Sequence, residues 1–316
     1  MTAPALARGG QAAVAVRPRR YWAGAAAVLL AAAFWGTTGT ARALGPQVAP
    51  PAVGAAKLLV GSAALLLVAL LGQGWRPLAR LLTQASLRGW GLLAALATAI
   101  YQATFFSAVA RTGVVLGTVV AIGTAPVFNG LLAHWLSAER LTPRWMAATA
   151  MAVIGAVILL YPGEADSIDA LGIALALAAG LTYGLYTNAA KRLLTRGVGI
   201  VPLLAGTLGV GAILLLPTLL AGSTPALFKP AGLIMIGWLG LATTALAYLL
   251  YVRGLQSLPA ATVGTLGLAE PLTATLLGLL LLSERPTPRA AFGAALVLAG
   301  LLILTVQRHR PPEPSR

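Results

Sequence analysis

The stretch PVFNGLLAHWLSAERLTPRWMAATAMAVIGAVIL, residues 126–159, returns 145 positions later as PLTATLLGLLLLSERPTPRAAFGAALVLAGLLIL, residues 271–304. The two copies are identical at 13 of 34 positions, a count that Leu and Ala inflate in an apolar chain. More informative are the run Glu-Arg-x-Thr-Pro-Arg, at 139–144 and 284–289, and the proline that opens each copy, because these residue types are rare elsewhere in the chain. The pattern predicts a chain built from two related halves.

The composition around this repeat is that of a membrane protein. Hydrophobic residues make up 59% of the chain and charged residues only 9%, against roughly 25% charged residues in an ordinary soluble domain. The mean hydropathy is +0.87. Long runs without a charge recur at intervals close to one bilayer crossing, which excludes a soluble fold.

Taking about 20 residues per crossing, the sequence predicts an all-α integral membrane protein with ten transmembrane helices. Pro and Gly punctuate the connections, and none of these is long enough to form a separate domain. The predicted spans are 22–44, 51–71, 88–110, 114–137, 144–162, 168–190, 199–221, 231–253, 259–282 and 289–306.

The distribution of Lys and Arg between the two sets of loops predicts the orientation, because basic residues are retained on the cytoplasmic side. With the N-terminus inside, 16 basic residues fall on that side and 5 on the other, which makes both termini cytoplasmic. The two Glu-Arg turns then fall on opposite faces, so each repeat has five spans and the two repeats are inverted. Inverted repeats are typical of secondary transporters.

This count divides the chain into four parts. Residues 1–21 and 307–316 are predicted to be cytoplasmic tails. Residues 22–162 form the first five-helix repeat and residues 168–306 the second.

Several short motifs resemble the EamA family of the drug/metabolite transporter superfamily. They include Phe34-Trp35-Gly36, the Ala125–Phe128 segment, the Leu136–Arg140 turn, Glu270-Pro271-Leu272 and the Leu281–Arg285 turn. The resemblance covers roughly residues 22–306 and implies a ten-helix exporter or permease, without identifying its solute. It also implies a basic residue in the second helix, usually Arg, where this chain has Lys57. A role that needs a bidentate guanidinium does not transfer to a lysine.

Glu270 is the only acidic residue inside a predicted span, about 18 Å along its helix from the outer end. A carboxylate at this depth must face a cavity, find a partner or be protonated. One interpretation is a ligand for a solute amine or a proton-coupling site. The alternative is a protonated carboxyl that bonds a neighbouring helix.

Lys57 lies about 9 Å from the outer end of the second helix. Its side chain leans outward and that of Glu270 inward, so the directions do not favour a direct ion pair. Lys57 either extends to the outer interface or contacts a solute carboxylate or loop acids.

Pro126 and Pro271 are predicted to kink equivalent helices of the two halves, because each removes a helical hydrogen bond. Such kinks are typical of hinges and of solute sites in broken helices, although packing of a bent helix explains them equally well. Of the polar and aromatic side chains within spans, the deepest are Trp35, Gln102, Tyr183 and Tyr248. They suit a semi-polar organic solute, including a cation over a ring face, whereas rings nearer span ends are more often interface anchors.

These observations predict a secondary transporter of a small metabolite in the plasma membrane, an exporter of an amino acid, an amine or a related compound, with protons as one option for coupling. An uncoupled facilitator is the alternative. An intramembrane enzyme is disfavoured because one membrane carboxyl stands without a nearby His or Asp. No cofactor or metal site is expected, since cysteine is absent and there are two histidines, His134 and His309, far apart in sequence. The expected partners are a small-molecule solute and the lipid bilayer, with no nucleic acid.

Overall fold

The computed structural model describes residues 18–160, 169–221, 224–281 and 287–306. Ten helices within these residues are long and apolar enough to cross a membrane, so the predicted all-α fold with ten spans is confirmed. They are α1 (Arg19–Leu44), α2 (Pro50–Gln73), α3 (Ala85–Gly113), α4 (Leu116–Ser137), α5 (Pro143–Leu160), α6 (Ala170–Thr195), α7 (Ile200–Ala221), α8 (Pro230–Ser257), α9 (Ala260–Leu281) and α10 (Pro288–Thr305).

Because the number of spans is even, α1 begins and α10 ends at the same face of the membrane. We call this the terminus face and the other the distal face. The predicted span bounds agree with the helices to within about five residues. The tails beyond residues 18–306, the 161–168 connection and the second Glu-Arg turn, Glu284-Arg285, lie outside the described residues. The division into two tails and two repeats stays a prediction.

Two short helices in the connections were not predicted. Arg76–Thr83 follows α2 at the terminus face. Leu81 of this helix is buried, and Arg76 and Arg80 are exposed. Pro225–Phe228 forms a turn of 3₁₀-helix before α8. Both are too short to cross a bilayer, so they do not alter the number of spans.

Glycine makes the tight turn between α3 and α4 possible. Gly113 has φ +81° and ψ 161°, a conformation that is strained for a residue with a Cβ atom. The chain therefore reverses at the distal face almost without a loop.

Two of the central helices depart from regular α-helix. In α8, residues Trp238–Leu246 form a π-helical segment, a distortion that is frequent at functional sites. In α9, the α-helix stops at Leu266, passes through a turn at residues 267–268 and resumes at Ala269. Both irregular segments lie within their spans, away from either end of the helix.

Close packing of α1 on α9 fixes the position of the Glu270 backbone. A Cβ atom at Gly36 would lie 2.6 Å from Thr273 Cβ and 2.8 Å from the Glu270 carbonyl oxygen. Only glycine allows this approach. The glycine of the Phe-Trp-Gly motif thus places the membrane carboxyl beside Trp35.

Candidate functional site

A cavity of about 320 Å³ lies among the helices and opens toward the distal face. Its volume falls within the range of small-molecule sites, roughly 300–1,000 Å³. Glu270 lies at its deep end, and the exposed Gly39 lies near its mouth. A smaller recess behind Glu270 is floored by Gly264, Gly267 and Leu268 of the interrupted part of α9.

All six predicted solute or coupling residues line this one cavity. They come from α1, α2, α3, α6, α8 and α9, so both halves of the chain contribute. These residues are Trp35, Lys57, Gln102, Tyr183, Tyr248 and Glu270.

The cavity carries opposite charges at different depths. Glu270 lies eleven residues, about 16 Å, from the distal end of α9, and Lys57 lies seven residues, about 10 Å, from the distal end of α2. Lys57 and Glu270 do not form an ion pair within 4.0 Å, whereas Arg111 and Asp169 do. This separation agrees with the opposite lean of the two side chains, and it leaves each charge free to meet a solute.

A connected group of aromatic rings surrounds the deep end of the cavity. Trp35 packs against Tyr248 with ring centroids 5.5 Å apart and against Tyr251 at 5.2 Å. Tyr183 joins the group through Tyr251 at 6.0 Å and through Tyr101 at 6.3 Å. Ring faces beside a carboxylate form a favourable environment for an organic cation.

Hydrogen bonds hold two of these rings in place. Trp35 Nε1 donates to the carbonyl oxygen of Thr243 at 2.9 Å, inside the π-helical segment of α8. The Tyr251 hydroxyl is 2.7 Å from Thr187 Oγ1 of α6. The indole is therefore fixed by a bond to the distorted turn of α8, which relates the π-helical segment directly to the site.

The other polar and aromatic side chains within these spans divide between the cavity and the packed layer beneath it. Tyr101, Thr38 and Thr244 line the cavity. Three others are buried on its terminus side and do not line it: Tyr186, Asn188 and Tyr251.

The two prolines differ in their surroundings. Pro271 belongs to the first turn after the break in α9, and Glu270 N donates to the Gly267 carbonyl that Pro271 leaves without its helical partner. Pro126 lies within a continuous stretch of α4. Neither lines the cavity or the recess, although Ala125 and Glu270 beside them line the recess. Their role as hinges stays a prediction.

Arg42 is a cavity-lining residue that the sequence analysis missed. It was counted with the basic residues of the outer loops because it lies near the end of α1. Trp35, Thr38, Gly39 and Arg42 follow an i, i+3, i+4, i+7 spacing and share one face of the helix. That spacing is the signal that could have placed Arg42 beside Trp35.

An ion pair joins α3 and α6 at the distal face outside the cavity. Arg111 Nη2 lies 3.0 Å from Asp169 Oδ2. Asp169 caps α6 by accepting a bond of 2.8 Å from Gly172 N. This backbone hydrogen bond, and then the Arg111 side chain, lower the pKa of the Asp169 carboxyl.

Comparison with known proteins relates this architecture to transporters. The model of the EamA-like transporter family matches residues 22–161 and again residues 170–306. YwfM of Bacillus subtilis (strain 168), described as a transporter, is 37% identical over 287 residues, which are 88% of this chain and 92% of YwfM.

Two further proteins extend the comparison. RhtA of Escherichia coli (strain K12), described as a threonine/homoserine exporter, is 32% identical over 204 residues, 60% of this chain and 64% of RhtA. A crystal structure with 21% sequence identity aligns with a TM-score of 0.74 over 89% of this chain and 95% of the other. That structure shares the fold.

Proposed function

Because the chain belongs to the EamA-like transporter family, we propose that it exports a small zwitterionic metabolite, an amino acid or a close relative, across the plasma membrane. The single observation that carries this proposal is the cavity in which Glu270 and Lys57 present opposite charges without pairing with each other. The distribution of Lys and Arg places both termini in the cytoplasm. In this orientation the cavity opens to the outside.

Charge complementarity supports a zwitterion. The Glu270 carboxylate and the surrounding rings suit an ammonium group, while Lys57 and Arg42 toward the mouth suit a carboxylate. A solute with both groups neutralises both ends of the cavity. A purely anionic or cationic solute would leave one buried charge without a partner, which is costly.

The size of the site also supports a metabolite. A cavity of about 320 Å³ accommodates a compound of amino-acid size and excludes a peptide or a lipid with long chains. RhtA is described as an exporter of threonine and homoserine, which are amino acids of this size.

Counterflow in proteoliposomes tests the proposal directly. Purified protein is reconstituted in liposomes loaded with unlabelled amino acids in pools, and uptake of the labelled compound is followed with and without an imposed proton gradient. For each active amino acid, the methyl ester removes the carboxylate and the N-acetyl form removes the ammonium. We expect uptake of the parent compound and loss of most uptake with either derivative.

Two outcomes would contradict the proposal. Equal transport of the parent and the N-acetyl form would show that no ammonium group is recognised. The absence of uptake with every amino acid, in liposomes that retain folded protein, would exclude this solute class. An unchanged rate when the proton gradient is imposed would favour an uncoupled facilitator instead.

A further inference from the structure

The first Glu-Arg turn, which contains Glu139, does not line the solute cavity. It lies at the terminus face, where it contacts the start of α9. The chain passes from α8 to α9 through Leu258 and Pro259. At this point the last carbonyls of α8 and the first N–H groups of α9 lie side by side without helical partners.

Glu139 satisfies the α9 side of this junction. Its Oε1 accepts a bond of 2.8 Å from Ala260 N, and its Oε2 accepts one of 3.2 Å from Ala261 N. A carboxylate at a helix N-terminus also complements the helix dipole. Glu139 belongs to the first half of the chain and α9 to the second, so this contact joins the two halves.

Lys191 of α6 satisfies the α8 side. Its Nζ donates to the carbonyl oxygens of Leu255 and Leu258 at 2.6 and 2.7 Å. Opposite charges thus hold the two adjoining helix ends, each with the sign that the end favours.

The backbone around Glu139 is arranged to present its carboxylate. Ala138 has φ 52°, an uncommon conformation for a residue other than glycine. Glu139 N donates to the Ala133 carbonyl at 3.1 Å, and the Glu139 carbonyl oxygen lies 2.9 Å from His134 Nδ1. The turn therefore holds Glu139 firmly against α9.

Buried polar contacts form a second layer between this junction and the cavity. Asn129 Nδ2 donates to the Ala260 carbonyl at 2.6 Å, and Asn188 Nδ2 donates to Asn129 Oδ1 at 2.8 Å. The hydroxyls of Thr149 and Thr265 lie 2.8 Å apart. All four side chains are almost fully buried, so the path from the cavity to the terminus face is closed at the first two turns of α9.

We propose that Glu139 and Lys191 form the latch of the terminus-side gate, and that residues 260–266 of α9 must leave Glu139 before a solute can pass to or from that face. The turn at residues 267–268 separates this segment from the part of α9 that carries Glu270. The segment can therefore swing while Glu270 stays with α1. Glu139 and Lys191 lie outside the cavity, so the gate does not depend on the identity of the solute.

Single cysteines report the state of the gate, since the chain has none of its own. Val263→Cys lies in the closed layer, at a position that is 0% exposed. Ala274→Cys lies in the distal cavity. The rate of maleimide labelling at each cysteine is measured on purified protein without solute, in the parent and with Glu139→Ala added.

We expect Glu139→Ala to raise labelling at Val263→Cys by about tenfold and to lower labelling at Ala274→Cys, since loss of a helix cap shifts an equilibrium by roughly this amount. Glu139→Gln keeps one acceptor oxygen and should give a smaller change in the same directions. Lys191→Gln should resemble Glu139→Ala, and it provides a second test if the alanine variant fails to fold.

Thr287→Ala is the matched control. Thr287 caps α10 by accepting a bond of 3.1 Å from Ala290 N, so this variant removes a helix cap outside the gate. Unchanged labelling in Glu139→Ala and Lys191→Gln would overturn the proposal. So would a rise at both cysteines together, or the same response in Thr287→Ala, because either result would indicate general loosening of the fold.

Discussion

Glu270 combines two properties that a transport residue needs. It lies at the deep end of a cavity that reaches the distal face, and its carboxyl group makes no hydrogen bond or ion pair to another described residue. A carboxyl so placed can bind a solute ammonium in one state and a proton in another. The packing alternative requires a bond from Glu270 to a neighbouring helix, and the described part of the chain contains none.

Replacing Glu270 by Gln tests this role. The amide keeps the volume of the side chain but cannot exchange a proton, so expression should remain intact while flux driven by a pH gradient is abolished. Asp169→Asn is the control, because it neutralises an acid outside the cavity. Undiminished pH-driven flux in proteoliposomes containing Glu270→Gln would remove this residue from the coupling mechanism.

Asp169 predicts a pH-dependent contribution to stability. Its pKa is lowered in the folded protein by the Gly172 N–H and by Arg111, so its contribution is present above the unfolded value of about 3.9 and is lost as pH falls through the lower folded value. We expect Asp169→Asn, which retains a capping oxygen, to lower the melting temperature by about 1–2 °C at pH 6. The difference should diminish as pH falls below about 3.9, and a difference that stays constant from pH 6 to pH 3 would contradict this account.

The equivalent prolines of the two halves show why a repeat in sequence does not guarantee equal geometry. The helix before Pro271 contains Gly264 and Gly267, whereas the corresponding positions before Pro126 are Val119 and Ile122. Glycine weakens a helix, whereas a branched apolar side chain such as that of Val or Ile does not weaken a helix in lipid. The break forms in α9, beside Glu270, whereas α4, with Gly123 three residues before its proline, continues through it.

Pro271→Ala should restore the missing backbone N–H and favour a continuous α9. If the break acts as a hinge, the maximal transport rate should fall by about fivefold to tenfold, while the half-saturation concentration changes by less than about twofold. Pro126→Ala is the matched control and should have a smaller effect. An unchanged rate in Pro271→Ala would support the packing interpretation.

The contact between α1 and α9 can be tested at Gly36. A methyl group there would meet Thr273 Cβ and the Glu270 carbonyl oxygen, so Gly36→Ala should destabilise the protein by about 1–3 kcal/mol. Gly39→Ala, on the same helix with no atom within 4 Å of the added carbon, should be neutral or slightly stabilising. Melting temperatures in detergent would compare them, and equal values for both variants would contradict the close approach.

For the molecule as a whole, the hydropathy of the chain and the Glu-Arg repeat were sufficient to predict ten spans. Bilayer thickness imposes a length on each helix that the sequence must satisfy. The π-helical segment of α8, the short helix after α2 and the position of Arg42 in the cavity were not predicted. The π-helical segment depends on packing between helices, such as the bond from Trp35 to Thr243, and no local pattern records it. Arg42, in contrast, could have been placed from its helical spacing relative to Trp35.

The sidedness of the cavity can be determined in intact cells with single cysteines. If the termini are cytoplasmic, Ala43→Cys near the end of α1 lies outside and Ala85→Cys at the start of α3 lies inside; both positions are exposed. A membrane-impermeant maleimide should then label Ala43→Cys in intact cells and Ala85→Cys only after permeabilisation. Ala274→Cys in the cavity should follow Ala43→Cys, because the cavity opens toward the distal face. Labelling of Ala85→Cys alone in intact cells would show that the protein has the opposite orientation in the membrane. The cavity would then open to the cytoplasm, and the structure would represent the conformation that loads a solute for export.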